Sequence, residues 1–193
     1  MNLDELLIVT LNHSDKGMVA GRTLLQKTLY FLNETLGSGI EFTPHYYGPY
    51  SAEVADTIAS LKASGIVKET VENFPSFNFG VTFEPRRYIY QLTDVGRKMA
   101  NSIRERHLQE IENVEKVLER MKGLGATGAA NDYKNLSIAA KMWHILKIKG
   151  EPMTAEEILD QAKALDWEIE QYEAEAAIRF LQDIMDLVEV KES

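Results

Sequence analysis

The chain has 193 residues, 45% of them hydrophobic and 26% charged, with 30 acidic against 21 basic side chains and a net charge of −9. That is enough for one ample core or two small domains, and the sign of the charge opposes bulk attraction to phosphate backbones. Cysteine is absent, which excludes disulfides, thiolate catalysis and Cys-ligated zinc.

Residues 3–12 predict a short helix, ended by a polar run from His13 to Gly17. From Gly21 or Arg22 to Leu36 the pattern is that of an amphipathic helix. Leu25, Leu29, Leu32 and Leu36 recur at helical spacing, while Leu24, Thr28 and Phe31 widen the apolar stripe. Gln26, Lys27, Tyr30 and Glu34 fall toward the other side, and Gly37-Ser-Gly39 stops the helix. Residues 40–47 suit a short extended segment, and Gly48-Pro49 forces a turn. Ser51 is placed as the N-cap of a helix to Ser64, with Val54, Ile58 and Leu61 as its apolar face and Gly65 as its stop.

Residues 66–73 and 86–92 read as the arms of a β-hairpin. Tyr88, Tyr90 and Leu92 alternate with Ile89 and Gln91, and the connection 74–85 is long and rich in phenylalanine. Thr93 then caps a helix with Asp94 in its first turn. This helix is expected to run unbroken over 94–122, where Ile111, Val114, Leu118 and Met121 form a short heptad-like seam suited to homodimerisation. The glycine-rich run 123–128 follows as a linker. Residues 133–149 predict a helix, Thr154 and Glu157 a capping box opening the next, and 172–185 a third, with a closing strand at 187–190.

The expected protein is thus mainly α with a small β-hairpin. A winged helix-turn-helix domain (1–93) leads into a long connecting helix (94–122), a flexible linker (123–132) and a C-terminal three-helix, helix-turn-helix-like unit (133–193). Residues 1–100 carry 9 basic and 11 acidic side chains and residues 101–193 carry 12 and 19, so the second half is the poorer place for nucleic acid. No apolar run reaches the roughly 18 residues of a membrane helix, and the first residues lack the basic start of a signal peptide, so the expected location is the cytoplasm.

Catalytic signatures are missing. His13, His45, His107 and His144 fall on four different elements without a strong metal spacing. The run Gly123-Leu-Gly-Ala-Thr-Gly128 matches GxGxxG in letters but follows a charged helix instead of a strand, which excludes a dinucleotide fingerprint. The expectation is no enzyme, no cofactor and no metal. The densest unusual feature is His45, Tyr46, Tyr47, Gly48, Pro49 and Tyr50. Its rings either buttress the helix that follows or form a stacking and hydrogen-bonding surface. Together with Lys27 and Tyr30 these residues are the candidate partner-binding surface. The alternative is DNA binding through Arg22, Lys62, Arg86 and Arg87. Against it, the helix that would read the major groove carries Glu53 and Asp56 against a single Lys62.

Residues 22–67 resemble the Panacea (SocA-like) antitoxin-domain group and the related YwgA-like bacterial and archaeal proteins. The likeness is carried by Leu25-Gln-Lys-Thr-Leu-Tyr-Phe31, then Tyr47-Gly-Pro49, then the helix ending near Gly65-Ile66. Resemblance to the Panacea group implies toxin neutralisation by direct protein contact, without enzymatic activity; the YwgA-like comparison brings no function with it. The long 74–85 connection, the 94–122 helix and the acidic second unit depart from that pattern. The expected function is a regulatory binding module acting through protein contacts, antitoxin-like in kind.

Overall fold

In the computed structural model, residues 1–14, 17–73, 86–123 and 132–185 are described. The phenylalanine-rich connection 74–85, the linker residues 124–131 and the expected strand 187–190 lie outside them.

Helix α1 (Leu3–His13) opens with a capping box. The Asn2 side chain accepts from the Glu5 N–H at 2.9 Å, and the Glu5 carboxylate accepts from the Asn2 N–H at 3.1 Å. Every residue from Leu6 to Leu11 is buried, so α1 is a central helix. Strand β1 (Met18–Ala20) follows just past the polar run His13–Gly17, where no element was expected, and α2 (Arg22–Leu36) comes after it. Helix α3 (Ala52–Ala63) is capped by Ser51 as expected. Residues 40–47 form no strand; their only pairing is an isolated bridge between Thr43 and Tyr50.

Strands β2 (Val67–Asn73) and β3 (Arg86–Leu92) pair antiparallel from Val67 opposite Leu92 to Asn73 opposite Arg86. Because β1 adds to the other side of β3, the sheet has the order β1-β3-β2 and β3 is central. Helix α4 (Asp94–Arg106) then starts at a Thr93 cap. The residue two positions after the acid must be glycine. A Cβ at Gly96 would stand 2.4 Å from the Ile66 carbonyl, which itself accepts the Thr93 N–H at 3.0 Å.

The single long helix expected over 94–122 is two helices. The chain breaks at His107 (φ −129°, ψ 38°), and α5 (Leu108–Gly123) folds back so that Arg104 meets Glu115. The reason lies in the seam itself. Ile111, Val114, Leu118 and Met121 are buried in the chain's own core, with α5 packed on α1, α2 and α8, so the seam is closed to a second copy. The remaining elements are α6 (Asp132–Lys149), α7 (Ala155–Ala164), with the expected Thr154–Glu157 capping box, and α8 (Gln171–Ile184).

The protein is mainly helical with a small three-stranded antiparallel sheet. The buried apolar residues form one cluster from Leu6 to Ile184. That cluster crosses the boundary expected at 123–132, because α6 packs on α2 as well as on α8. The same packing corrects the reading of α2, which is buried continuously from Leu24 to Asn33 because α6 covers the side opposite the expected apolar stripe. No helix among the described residues is long and apolar enough to cross a membrane.

Candidate functional site

The eight-residue loop 43–50 is closed by a pair of 2.9 Å backbone hydrogen bonds between Thr43 and Tyr50, and tightened by the Gly48 N–H donating to the His45 carbonyl at 2.8 Å. A loop of this length has inward-facing carbonyls that must be satisfied. Here alternate carbonyls are taken by side chains from three directions. Trp167, in the α7–α8 connection, donates its indole N–H to His45 O at 2.8 Å. Ser137 of α6 donates to Tyr47 O at 2.5 Å. Lys27 of α2 donates to Pro49 O at 2.5 Å. Gln26 completes the set with a two-pronged clamp on the residue after the loop. Its amide N–H donates to Ser51 O at 2.9 Å, and its oxygen accepts from Ser51 N–H at 3.0 Å.

Gly48 is required twice over. Its φ of +90° is a conformation side chains avoid, and a Cβ there would meet Lys141 Cγ at 3.0 Å and the Ser137 carbonyl at 3.4 Å. The loop therefore lies flat against α6. With the carbonyls drawn inward, the rings turn out. Tyr46 is 68% exposed and Tyr47 49%, packed edge to face at 4.9 Å. His45 lies tilted against Tyr50 at 5.3 Å.

The predicted site residues separate accordingly. His45, Tyr46 and Tyr47 are exposed and share one surface, with the half-buried Tyr50 beside His45. Gly48 and Pro49 are buried against the body. Lys27 and Tyr30 are only 2% and 1% exposed, so neither meets a partner directly. This corrects the expected surface: Lys27 holds the loop from beneath.

The interface beneath the loop is unusually polar. On α2, Lys27, Tyr30 and Glu34 face Lys141, His144 and Lys147 of α6 in the same chain direction, which sets these two helices parallel there. The Tyr30 and His144 rings lie 6.3 Å apart, and Glu34 accepts from Lys147 at 2.7 Å and from the Trp143 indole at 3.0 Å. Burial, with the Lys141 ammonium adding to it, pulls Lys27 down from 10.5 to about 7. Burial also lowers His144, helped by Lys147, and raises the Tyr30 phenol, helped by Glu34. The Tyr30 hydroxyl and both His144 ring nitrogens have no hydrogen-bond partner among the described residues.

Beside the loop an open cleft of about 630 Å³ runs between Tyr46 and Tyr47 on one wall and Tyr133, Lys141, Trp167 and Glu168 on the other. Among the described residues no group of three or more His, Asp or Glu side chains is arranged to hold a metal ion.

The cations of the DNA alternative lie elsewhere, at the sheet. Arg22 stacks 3.6 Å above the Tyr88 ring and donates to the Tyr90 hydroxyl at 3.2 Å. Lys62 pairs with Glu69 at 2.9 Å, and Arg87 with Glu72 at 2.5 Å. Arg86 opens β3 beside Arg87 and is exposed.

Sequence reasoning passed over Gln26, Ser137, Lys141 and Trp167. Gln26 and Lys27 did carry a signal, as adjacent polar residues inside an otherwise apolar helix. Ser137 and Trp167 carried none, standing 90 and 122 positions from the carbonyls they hold. No protein-family model matches this chain, and no curated protein matches it.

Proposed function

We propose that this chain is a non-enzymatic binding module that recognises another protein through the 45–50 loop and the adjoining cleft. The observation that carries this reading is the outward display of Tyr46 and Tyr47 on a loop whose carbonyls are fixed from three sides. Exposed aromatic rings on a rigid support lose little entropy on binding and are enriched at interface centres.

In the same reading, residues 1–93 form a winged-helix domain of the YwgA-like and Panacea kind. Supporting this, the residues that carry the resemblance hold one another. Gln26 and Lys27 of the Leu-Gln-Lys motif clamp Ser51 and Pro49, around the Tyr-Gly-Pro motif. The resemblance then extends to regulation by direct contact with a partner protein. The DNA alternative is disfavoured because Arg22, Lys62 and Arg87 already engage Tyr or Glu side chains of the chain itself.

Affinity capture with the full chain tests the proposal. Wild type is expected to retain a specific partner that the double variant Tyr46→Ala, Tyr47→Ala loses while its melting temperature is unchanged. Equal retention by both proteins overturns it.

A further inference from the structure

The cleft beside the tyrosines has a chemistry that selects its occupant. Three lysines reach it, Lys134, Lys141 and Lys163, against Asp166 and Glu168. Two of the three are taken: Lys134 pairs with Glu173, and Lys163 with Asp160 at 2.9 Å. Lys141 has no ion pair among the described residues. Its ammonium stands 5.6 Å from the centre of the Trp167 ring, and its stem packs against Gly48. Half-buried, it is held down by desolvation, which Glu173 and Glu168 offset in part, and it helps to lower Lys27 below it. A cation partly stripped of water gains more from an incoming anion than a fully solvated lysine does.

Resting on the binding-module reading above, we infer that this cleft takes a peptide segment carrying an isolated Asp or Glu flanked by apolar residues, its carboxylate meeting Lys141. The exposed rings of Tyr46, Tyr47 and Tyr133 accept the flanking side chains, with the buried Trp167 as the floor beneath Lys141. A single acid is specified because Lys141 is the one lysine of this lining without an ion pair among the described residues, while Asp166 and Glu168 of the same lining repel a second negative charge. Nucleic acid and polyphosphates need a track of cations, whereas among the described residues of this lining only Lys141 is a lysine without an ion pair.

The test uses a phage-displayed random heptapeptide library panned on the full-length protein. Selected peptides are expected to carry one Asp or Glu beside apolar residues. Synthetic versions should lose about tenfold or more in affinity on Lys141→Met, and again when their acid is replaced by its amide, but keep affinity for Lys141→Arg. Thermal melts confirm that each variant folds; should Lys141→Met not fold, Lys141→Gln takes its place. Peptides without an acid, peptides that bind Lys141→Met as well as wild type, or displacement by ATP in preference to an acidic peptide overturn the inference. Selection of neutral peptides that still need Tyr46 and Tyr47 overturns the acid specificity alone and leaves the module standing. Failure of the Tyr46→Ala, Tyr47→Ala capture experiment removes the module itself.

Discussion

The two surfaces rich in rings and charges are built on opposite principles. At the sheet, Arg22, Lys62 and Arg87 each close on a Tyr or Glu of a neighbouring strand or helix, at distances from 2.5 to 3.6 Å. At the 45–50 loop the internal bonds go to backbone carbonyls, which leaves the Tyr46 and Tyr47 side chains turned outward. The sheet surface is thus closed by its own side chains, whereas the loop surface is rigid underneath and unengaged on top. A residue type alone does not mark a site; what matters is whether its functional atoms are already used within the fold.

The sharpest way to break this comparison is through Lys27. Its folded-state pKa of about 7 lies below the ordinary 10.5, so between these values the unfolded chain binds more protons and stability rises with pH. The contribution is complete above the unfolded value and is lost as pH falls through the folded one. Wild type should therefore gain up to about 1.4 kcal/mol per pH unit relative to Lys27→Met from about pH 7 to about pH 9.5, below the range where unfolded tyrosines ionise. Urea unfolding across that range checks this; parallel profiles would show that burial does not lower Lys27.

Gln26→Met comes next. It leaves the Ser51 N–H and C=O buried without their side-chain partner, at a cost of about 2–4 kcal/mol in chemical denaturation. Gly48→Ala should cost about 1–3 kcal/mol from its positive φ alone, with Lys141 displaced as well. Tyr46→Ala with Tyr47→Ala should change stability by no more than about 0.5 kcal/mol while abolishing partner capture. At the sheet, Lys62→Ala or Arg87→Ala should cost under about 1 kcal/mol and leave capture intact. Salt-sensitive DNA binding lost with those cations would reverse the contrast between the two surfaces.

Local signals made much of this architecture readable. The helical spacing of Leu25, Leu29 and Leu32, the Ser51 and Thr93 caps, the Gly65 stop and the alternation from Tyr88 to Leu92 each act within a few residues, and each predicted its element. Two features resisted because their causes are distant. The break at His107 follows from α5 burying Ile111 and Val114 against α1 and α2 instead of against a second copy. The burial of Lys27 and Tyr30 follows from α6, more than a hundred positions later, closing over α2. The loop cluster itself was visible as composition. Which of its residues face outward was not, because Ser137 and Trp167 decide it.

Those two donors give the loop a temporal dependence. Synthesis runs from the N-terminus, so Tyr46 and Tyr47 leave the ribosome long before the groups that take the carbonyls of His45 and Tyr47. A nascent or truncated chain ending at Gly123 holds the α2 clamp but lacks both of the later donors, and the face of α2 that α6 would cover is bare. If the loop is the partner-binding surface proposed above, competence to recognise a partner is deferred until Trp167 has been made and docked. A fragment stopping short of that residue should be inert toward the partner and prone to aggregate through its uncovered helix.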